Sequence, residues 1–196
     1  MPHILEKTPF SADLLPAVRD FDCGDSEAAQ EVAEWIRGPV LEDLGPLCQV
    51  WLYSTEQHGL VGFSSLGERA WRYPNSKKSD HAPINTIPWI GIRKELQGMP
   101  REQPEARFFR QILAHIATEA SRHTERLPLT GLFVRLRNPA IGAYKRFGFE
   151  EFPPPYTDRE TKIVYTRMIV EQPVLAERAS LPDWWPTPEG GASAGF

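Results

Sequence analysis

Cysteine is scarce in this 196-residue chain, which contains only Cys23 and Cys48. Two cysteines are too few for a disulfide framework, and their spacing does not match a metal site. No apolar run approaches the roughly 20 residues that a membrane-spanning helix needs, so we expect no membrane partner. The first seven residues show no basic start followed by an apolar stretch, so we predict no secretory signal. These absences together predict a protein of the reducing cytoplasm.

An excess of positive charge is also missing. Lys and Arg number 22 against 26 Asp and Glu, which gives a net charge of −4. Because non-specific nucleic-acid binding depends on many Lys and Arg contacts to phosphates, we expect no nucleic-acid partner. The chain also lacks Gly-x-Ser-x-Gly, Cys-x-x-Cys and His-x-x-x-His. We therefore predict neither a serine nucleophile of that type nor a metal site.

The chain does contain enough apolar material for a core, since 41% of its residues are hydrophobic and 11% are aromatic. Strand-like and helix-like patterns follow in the order strand, helix, two-strand hairpin, strand, long helix, strand, helix and two strands. Their predicted positions are residues 3–7, 29–36 (apolar positions at helical spacing before the Gly38–Pro39 stop), 50–54, 60–64, 84–92, 104–124, 129–136, 139–147, 149–152 and 162–170. This order predicts a mixed α/β fold with a strand–helix–strand crossover near its middle.

Local signals refine these elements. The stretch Phe21–Ser26 is predicted to be a turn that leads to a helix N-cap, where Asp or Ser oxygens take the first free amide protons. Pro88 predicts a bulge or an unpaired stretch within the apolar run that contains it. Residues 70–83 are predicted to be a loop. The 19 prolines, about twice average usage, cluster in such connecting segments.

The C-terminal residues differ from the rest of the chain. Residues 1–175 are predicted to be a single domain and 176–196 a C-terminal arm without periodicity. Trp184 and Trp185 carry enough apolar surface to hold this arm against the domain or a neighbouring subunit. Residues beyond Pro188 are predicted to be loose.

The most informative stretch is 132–149. There a strand ends near Asn138, a short helix carries Tyr144, and Gly148–Phe149 closes the helix four residues later. This arrangement resembles the GNAT superfamily, N-acetyltransferases that use acetyl-CoA. The resemblance implies a mostly antiparallel central sheet flanked by helices, acetyl-CoA as cosubstrate, and cofactor contacts from Asn138 and Tyr144. Asn138 lies six residues before Tyr144, where many members of the family have seven.

A second signature of the family opens its long helix: Arg or Gln, two residues, Gly, one residue, then Gly or Ala. Small residues there let backbone N–H groups at the helix N-terminus approach the cofactor pyrophosphate. Counted from the preceding strand, the Arg/Gln position is Gln97. Counted from the helix it is Arg101, with Pro104 in place of the first Gly, and we prefer this register. Its predicted cofactor contacts are Arg101, Gln103, Ala106 and Arg107.

This version of the signature is altered. Pro104 has no N–H, so one donor of the phosphate cradle would be missing. Glu102 and Glu105 would repel phosphates unless their carboxylates point away. Direct contacts from arginines could compensate for the missing donor. The candidates are Arg101, Arg107 and Arg110.

The resemblance also implies a mechanism. A primary amine, from a small molecule or a peptide, attacks the thioester directly in a ternary complex, so that much of the rate gain is proximity. Backbone N–H groups near Trp89, Ile90 and Ile92 would bind the thioester oxygen. Tyr144 would be the catalytic proton donor to the leaving thiolate.

The general base is left open, and a base is not required if water relays the proton. Candidate residues on the substrate side are Glu68, predicted to end a strand, and Asp80 and His81 in the predicted loop. The alternative function is a catalytically weak GNAT-fold module that binds CoA or a partner protein, which the altered glycine pattern favours. A homodimer is left open as well.

A third similarity lies ahead of the first helix. Phe21-Asp22-Cys23-Gly24 is similar to a Phe-x-Cys/Ser-Gly sequence in GNAT toxins that acetylate aminoacyl-tRNA. The match is four residues long, and such toxins need a basic surface for tRNA, whereas this chain is acidic overall. We therefore predict a function other than that of these toxins.

Overall fold

The computed structural model describes residues 5–44, 48–72, 81–100, 103–122, 127–136, 138 and 140–180. They form two compact units, residues 5–67 with 89–113 and residues 68–88 with 114–180. The helices are α1 (Leu15–Val18), α2 (Glu27–Arg37), α3 (Val40–Asp43), α4 (Phe108–Ser121), α5 (Ala140–Arg146) and α6 (Gln172–Ser180). The strands are β1 (Glu6–Pro9), β2 (Cys48–Thr55), β3 (Gly59–Arg72), β4 (His81–Ile87), β5 (Ile90–Ile92), β6 (Leu129–Arg135), β7 (Glu150–Glu151), β8 (Tyr156–Thr157) and β9 (Val164–Glu171).

The first unit is built on antiparallel strands. β2 pairs with β1 on one edge and with β3 on the other, and β5 pairs with β3. α2 begins at Ser26, whose Oγ accepts the N–H of Ala29 at 3.2 Å and so satisfies a free donor of the first turn. The side chains of α2 pack with those of β2 and β3 in one core. Its buried members include Phe21, Ala33, Trp35, Ile36, Val50, Leu52 and Phe63.

In the second unit the strand order is β4, β6, β9, β7, with β8 also paired to β9. β4 and β6 are parallel, with Asn85 opposite Thr130, whereas β9 is antiparallel to β6, β7 and β8. α4 connects the parallel pair, as a crossover must. The Nδ2 of Asn85 donates to the carbonyls of Ala120 and Leu127, both at 3.4 Å, and so ties β4 to the end of this crossover.

The predicted α/β class, the hairpin, the interruption at Pro88 and the crossover are confirmed. In the middle of the chain, two predictions of extent are wrong. β3 continues to Arg72 and β4 starts at His81, because Trp71 is buried in the second unit, where its ring packs over Gly131. The helix predicted from 104 opens with a 3-10 turn, Pro104–Arg107, and is α-helical only from Phe108.

The first residues of the predicted C-terminal arm belong to α6. The boundary at residue 175 falls inside α6, which continues to Ser180 and buries Leu175. Residues 181–196, including Trp184 and Trp185, lie outside the described residues. In the described part of the chain, no helix has the length and apolarity that crossing a membrane requires.

Candidate functional site

The edge of β5 that faces away from β3 is the first candidate feature. The N–H of Ser65 donates to the Trp89 carbonyl at 2.8 Å, and that of Arg93 donates to the Val61 carbonyl at 2.9 Å. In an antiparallel ladder the residues between such pairs direct their N–H and C=O groups to the opposite side. Ile90 and Ile92 therefore direct their backbone groups away from β3. Among the described residues, β3 is the strand that pairs with β5, and no second one does.

The break that precedes β5 is held by Ser65. Its Oγ accepts the Trp89 N–H at 2.9 Å and lies 3.2 Å from the Trp89 carbonyl. Because the Trp89 N–H is bonded to Ser65, the predicted set of backbone donors for a thioester is reduced to Ile90 and Ile92. The Trp89 indole stacks on that of Trp35, with 5.3 Å between the ring centroids. No local motif in the sequence indicated this role of Ser65.

Gly91 allows the core to reach the β5 backbone. A Cβ at this position would lie 2.8 Å from Cε1 of Phe63 and 3.0 Å from Cγ1 of Val32. Both distances are at or below the shortest that carbon atoms tolerate, so the side chains of Phe63 on β3 and Val32 on α2 pack directly on the backbone of β5. The backbone that presents Ile90 and Ile92 is thus held by the core.

The turn before α4 is the predicted phosphate cradle. Gln103 is exposed, and its carbonyl accepts the Ala106 N–H at 3.2 Å. With Pro104 lacking an N–H, this turn offers fewer free backbone donors than a glycine-rich loop does. Arg107 is exposed. Arg101 and Glu102, which belong to the preferred register, lie outside the described residues.

The carboxylate of Glu105 is turned toward the β2–β3 turn. Its Oε1 lies 3.0 Å from Nε2 of His58. The sequence requires this carboxylate to point away from the predicted phosphate cradle. His58, 47 positions earlier in the chain, is the residue that binds it. No sequence pattern indicated this pairing.

Gln97, the alternative Arg/Gln position, has a structural role. Its Nε2 donates to the carbonyls of Cys23 and Ile92, at 2.8 and 2.7 Å, and so connects the end of β5 to the Phe21–Gly24 turn. In that turn Asp22 Oδ1 accepts the Gly24 N–H at 2.8 Å. The Cys23 thiol donates to a carbonyl of α2, and burial raises its pKa from 9.0 to about 11. The thiol is therefore protonated at neutral pH.

Tyr144 belongs to the second unit and is fixed by the end of α5. The Gly148 N–H donates to the Lys145 carbonyl at 3.0 Å, and the Phe149 N–H to the Tyr144 carbonyl at 3.1 Å. With φ of +87° at Gly148, this is a Schellman C-cap. The Phe149 ring meets the Tyr144 ring edge-on, 5.8 Å between centroids. Burial raises the pKa of Tyr144 well above its ordinary value of 10.0, so its hydroxyl retains its proton at neutral pH.

Asn138 caps the same helix. Its Oδ1 accepts the Ala140 N–H at 2.8 Å, and its backbone carbonyl accepts the Ile141 N–H at 3.1 Å. An asparagine at this position is explained by capping, which satisfies a free donor of the first turn. Any contact with a cofactor falls to its Nδ2 group.

The fold of this chain is similar to that of several solved toxin structures. No protein-family model and no curated protein sequence matches the chain. A variant of the toxin AtaT, bound to the C-terminus of the antitoxin AtaR and acetyl-CoA, matches with a TM-score of 0.63 at 12% identity, over 90% of this chain and 99% of that one. AtaTR bound with acetyl-CoA matches at 0.64 and 16%, over 89% and 97%. The KacTA–DNA complex matches at 0.60 and 17%, over 89% and 97%.

The chain has the GNAT fold. Its mostly antiparallel sheet flanked by helices confirms the predicted fold class. Identities of 12 to 17% show a shared fold and leave the activity to be argued from the residues. These neighbours are toxins or toxin complexes, the class that the Phe21–Gly24 similarity indicated and that the net charge argued against.

On this fold, the predicted site residues divide between the two units. Those in the first unit are Trp89, Ile90, Ile92, Gln103, Ala106 and Arg107, and those in the second are Glu68, His81, Asn138 and Tyr144. Glu68 was predicted to end its strand, but β3 continues four residues further, and the side chain is half-buried. His81 is the first residue of β4. Asp80 lies outside the described residues, and those described contain no cluster of His, Cys, Asp and Glu suited to a metal ion.

Proposed function

We propose that this protein is an N-acetyltransferase that transfers the acetyl group of acetyl-CoA to a primary amine. The observation that carries the proposal is the edge of β5, where the N–H and C=O of Ile90 and the N–H of Ile92 point away from β3, while the Ile92 carbonyl accepts the Gln97 amide. The pantetheine arm of CoA contains amide groups, which can pair with such an edge as an added strand does. Fold neighbours that contain acetyl-CoA support this assignment.

The start of α4 would bind the cofactor phosphates. A helix N-terminus favours anions through its dipole and its free N–H groups. Ala106 is small, Arg107 is exposed, and the Glu105 carboxylate is bonded to His58. In the preferred register, Arg101 would add a direct phosphate contact. The reduced number of backbone donors makes these arginines more important than in a glycine-rich cradle.

The reaction requires one proton donor. The amine nitrogen forms a bond to the thioester carbon, the carbon–sulfur bond breaks, and the leaving thiolate takes up a proton to give CoA and an amide. Tyr144 would donate that proton, as the matching tyrosine of the GNAT motif implies, and its hydroxyl carries the proton at neutral pH. The attacking nitrogen releases one proton to solvent and Tyr144 takes one up from solvent, so no net proton is consumed or released. A base such as Glu68 or His81 would be needed only where the acceptor arrives protonated.

The test measures CoA release on mixing the protein with acetyl-CoA and a panel of amines. The panel contains a polyamine, an aminoglycoside, an amino-acid derivative, a peptide with a free N-terminus and an aminoacyl-tRNA. We expect turnover with at least one of them. Absence of turnover together with absence of CoA binding by calorimetry would overturn the proposal.

Tyr144→Phe tests the proton donor within that assay. Removing only the hydroxyl should lower kcat by about 10²–10⁴-fold and change KM little. The AtaT and KacT neighbours have both been solved as tyrosine-to-phenylalanine variants. Tyr156→Phe is the matched control, because Tyr156 is 43% exposed on β8 and should leave kcat unchanged. An equal effect of the two substitutions would remove Tyr144 from the mechanism.

The alternative is a GNAT-fold module that binds CoA or a partner protein without turnover. Pro104 favours it by removing a backbone donor from the cradle. A neighbour bound to the C-terminus of its antitoxin supports a protein partner. Tight CoA binding without product from any amine would select this alternative, whereas acetylation of aminoacyl-tRNA alone would select a toxin of the type that the Phe21–Gly24 similarity indicated.

A further inference from the structure

The contact between His58 and Glu105 joins two distant parts of the first unit. His58 lies in the turn between β2 and β3, where its backbone N–H donates to Thr55 Oγ1 at 3.1 Å. Its Nε2 is 3.0 Å from Glu105 Oε1, and the two side chains are only 22% and 11% exposed. The imidazole also meets the ring of Phe108, the first residue of α4, edge-on at 6.0 Å between centroids. The backbone of His58 is thus fixed by the turn, and its imidazole contacts Glu105 and the first residue of α4.

Glu105 lies where its carboxylate would compete with a bound anion for the start of α4. It lies in the 3-10 turn that leads directly into α4. A negative side chain in the first turn of a helix is stabilised by the positive end of the helix dipole. Phosphate groups are attracted by the same feature. Unless it is held elsewhere, the Glu105 carboxylate would both occupy this position and repel a phosphate that approaches it.

We propose that His58 is a positioning residue for anion binding, which holds the Glu105 carboxylate to one side so that the phosphates of CoA can occupy the start of α4. The inference rests on the proposed function. It assigns to His58 an effect on affinity for the phosphate part of the cofactor and none on the chemical step.

The proposal predicts a specific pattern in a double-mutant cycle. His58→Ala should raise the Kd for CoA about tenfold, the size of effect expected when a charge-assisted hydrogen bond is lost. Glu105→Gln alone should leave the Kd within about threefold of wild type. The double variant H58A/E105Q should return to that same range, because no carboxylate remains to compete. Non-additivity of this sign distinguishes positioning from a general loss of structure.

Two further measurements separate the electrostatic role from a purely structural one. His58→Gln retains an amide that can donate to the carboxylate, so its Kd for CoA should stay within about threefold of wild type. S-acetylpantetheine carries no phosphate, so H58A and wild type should use it with equal kcat/KM. Circular dichroism and thermal unfolding establish that each variant is folded.

The outcomes distinguish the two proposals. A wild-type protein that binds no CoA would overturn the proposed function and this inference with it. A wild type that binds CoA while H58A binds it equally well would overturn the inference alone. A double variant that binds as weakly as H58A, or equal losses with acetyl-CoA and S-acetylpantetheine, would also overturn it, because both results mean that His58 acts on structure.

Discussion

Replacement of Gly91 by alanine should perturb the fold and the proposed site together. The new Cβ would lie 2.8 Å from Cε1 of Phe63, 3.0 Å from Cγ1 of Val32 and 3.2 Å from Cε1 of Phe21. Phe63 and Phe21 are fully buried, and their centroids lie 5.3 Å apart in an edge-on contact, so neither ring has free space to move into. Relief of the contact must come from a shift of β5 away from α2.

The size of the effect follows from this packing. Adding one methyl group to a close-packed core costs about 1–3 kcal/mol, and three short contacts place this substitution at about 2 kcal/mol or above. Because the shift moves the backbone of Ile90 and Ile92, kcat/KM for acetyl-CoA should fall as well. Urea denaturation measures the free energy of unfolding, and the CoA-release assay measures kcat/KM at a temperature at which the variant is folded.

Gly142→Ala is the matched control. Gly142 lies within α5, and a Cβ built there meets no atom within 4 Å. Alanine is the better helix former by about 1 kcal/mol, so this variant should be as stable as wild type or more stable. If Gly91→Ala proved as stable as Gly142→Ala, the conclusion that the core packs directly on the β5 backbone would be wrong. A loss of stability without a change in kcat/KM would mean that the β5 edge does not bind the cofactor.

Three further predictions concern α5 and Cys23. Gly148→Ala should lower the free energy of unfolding by about 1–3 kcal/mol, because its Cβ would lie 2.7 Å from Cγ1 of Val174 at a φ of +87°, and urea denaturation measures this. Asn138→Ala should lose about 1 kcal/mol of stability in the same assay, whereas Asn138→Ser keeps a capping oxygen and should regain most of it. If Asn138→Ser retains its stability but has a raised KM for acetyl-CoA, the Asn138 amide also binds the cofactor. The raised pKa of Cys23 favours the native state below pH 9.0, and this contribution is lost as pH rises toward about 11. Urea denaturation between pH 8 and 11 should therefore show a steeper loss of stability for wild type than for Cys23→Ala.

The parts of the fold that could be predicted from sequence are those whose signals are local. The cap at Ser26 and the helix end at Gly148 each act within a few residues, and both lie where the sequence predicted. The interruption at Pro88 is also local, since proline removes the donor that a ladder needs. The same locality explains why the Tyr144 segment could be recognised, since Gly148–Phe149 fixes the tyrosine from four residues away.

The parts that could not be predicted depend on contacts between distant residues. β3 extends to Arg72 because the Trp71 ring packs over Gly131, 60 positions later in the chain. No property of residues 70–72 indicates that contact. Its spacing from β5 makes Gln97 a candidate for the Arg/Gln position of the phosphate-binding signature, but its amide donates to the carbonyl of Cys23, 74 positions earlier. A polar side chain has no local pattern that separates a ligand-binding role from such a connecting role.

Net charge carries little information about a single site, because it is a sum over the chain that discards the position of each charge. The segment 27–43, which forms α2 and α3, holds four Glu and one Asp against a single Arg, so its own net charge is −4. The whole chain also has a net charge of −4, so its remaining residues carry equal numbers of acidic and basic groups. The acidity that argued against a nucleic-acid acceptor is therefore a property of one helical layer of the first unit. A cofactor site at the start of α4 is governed by its own neighbours, among which the position of one carboxylate, Glu105, matters more than the total.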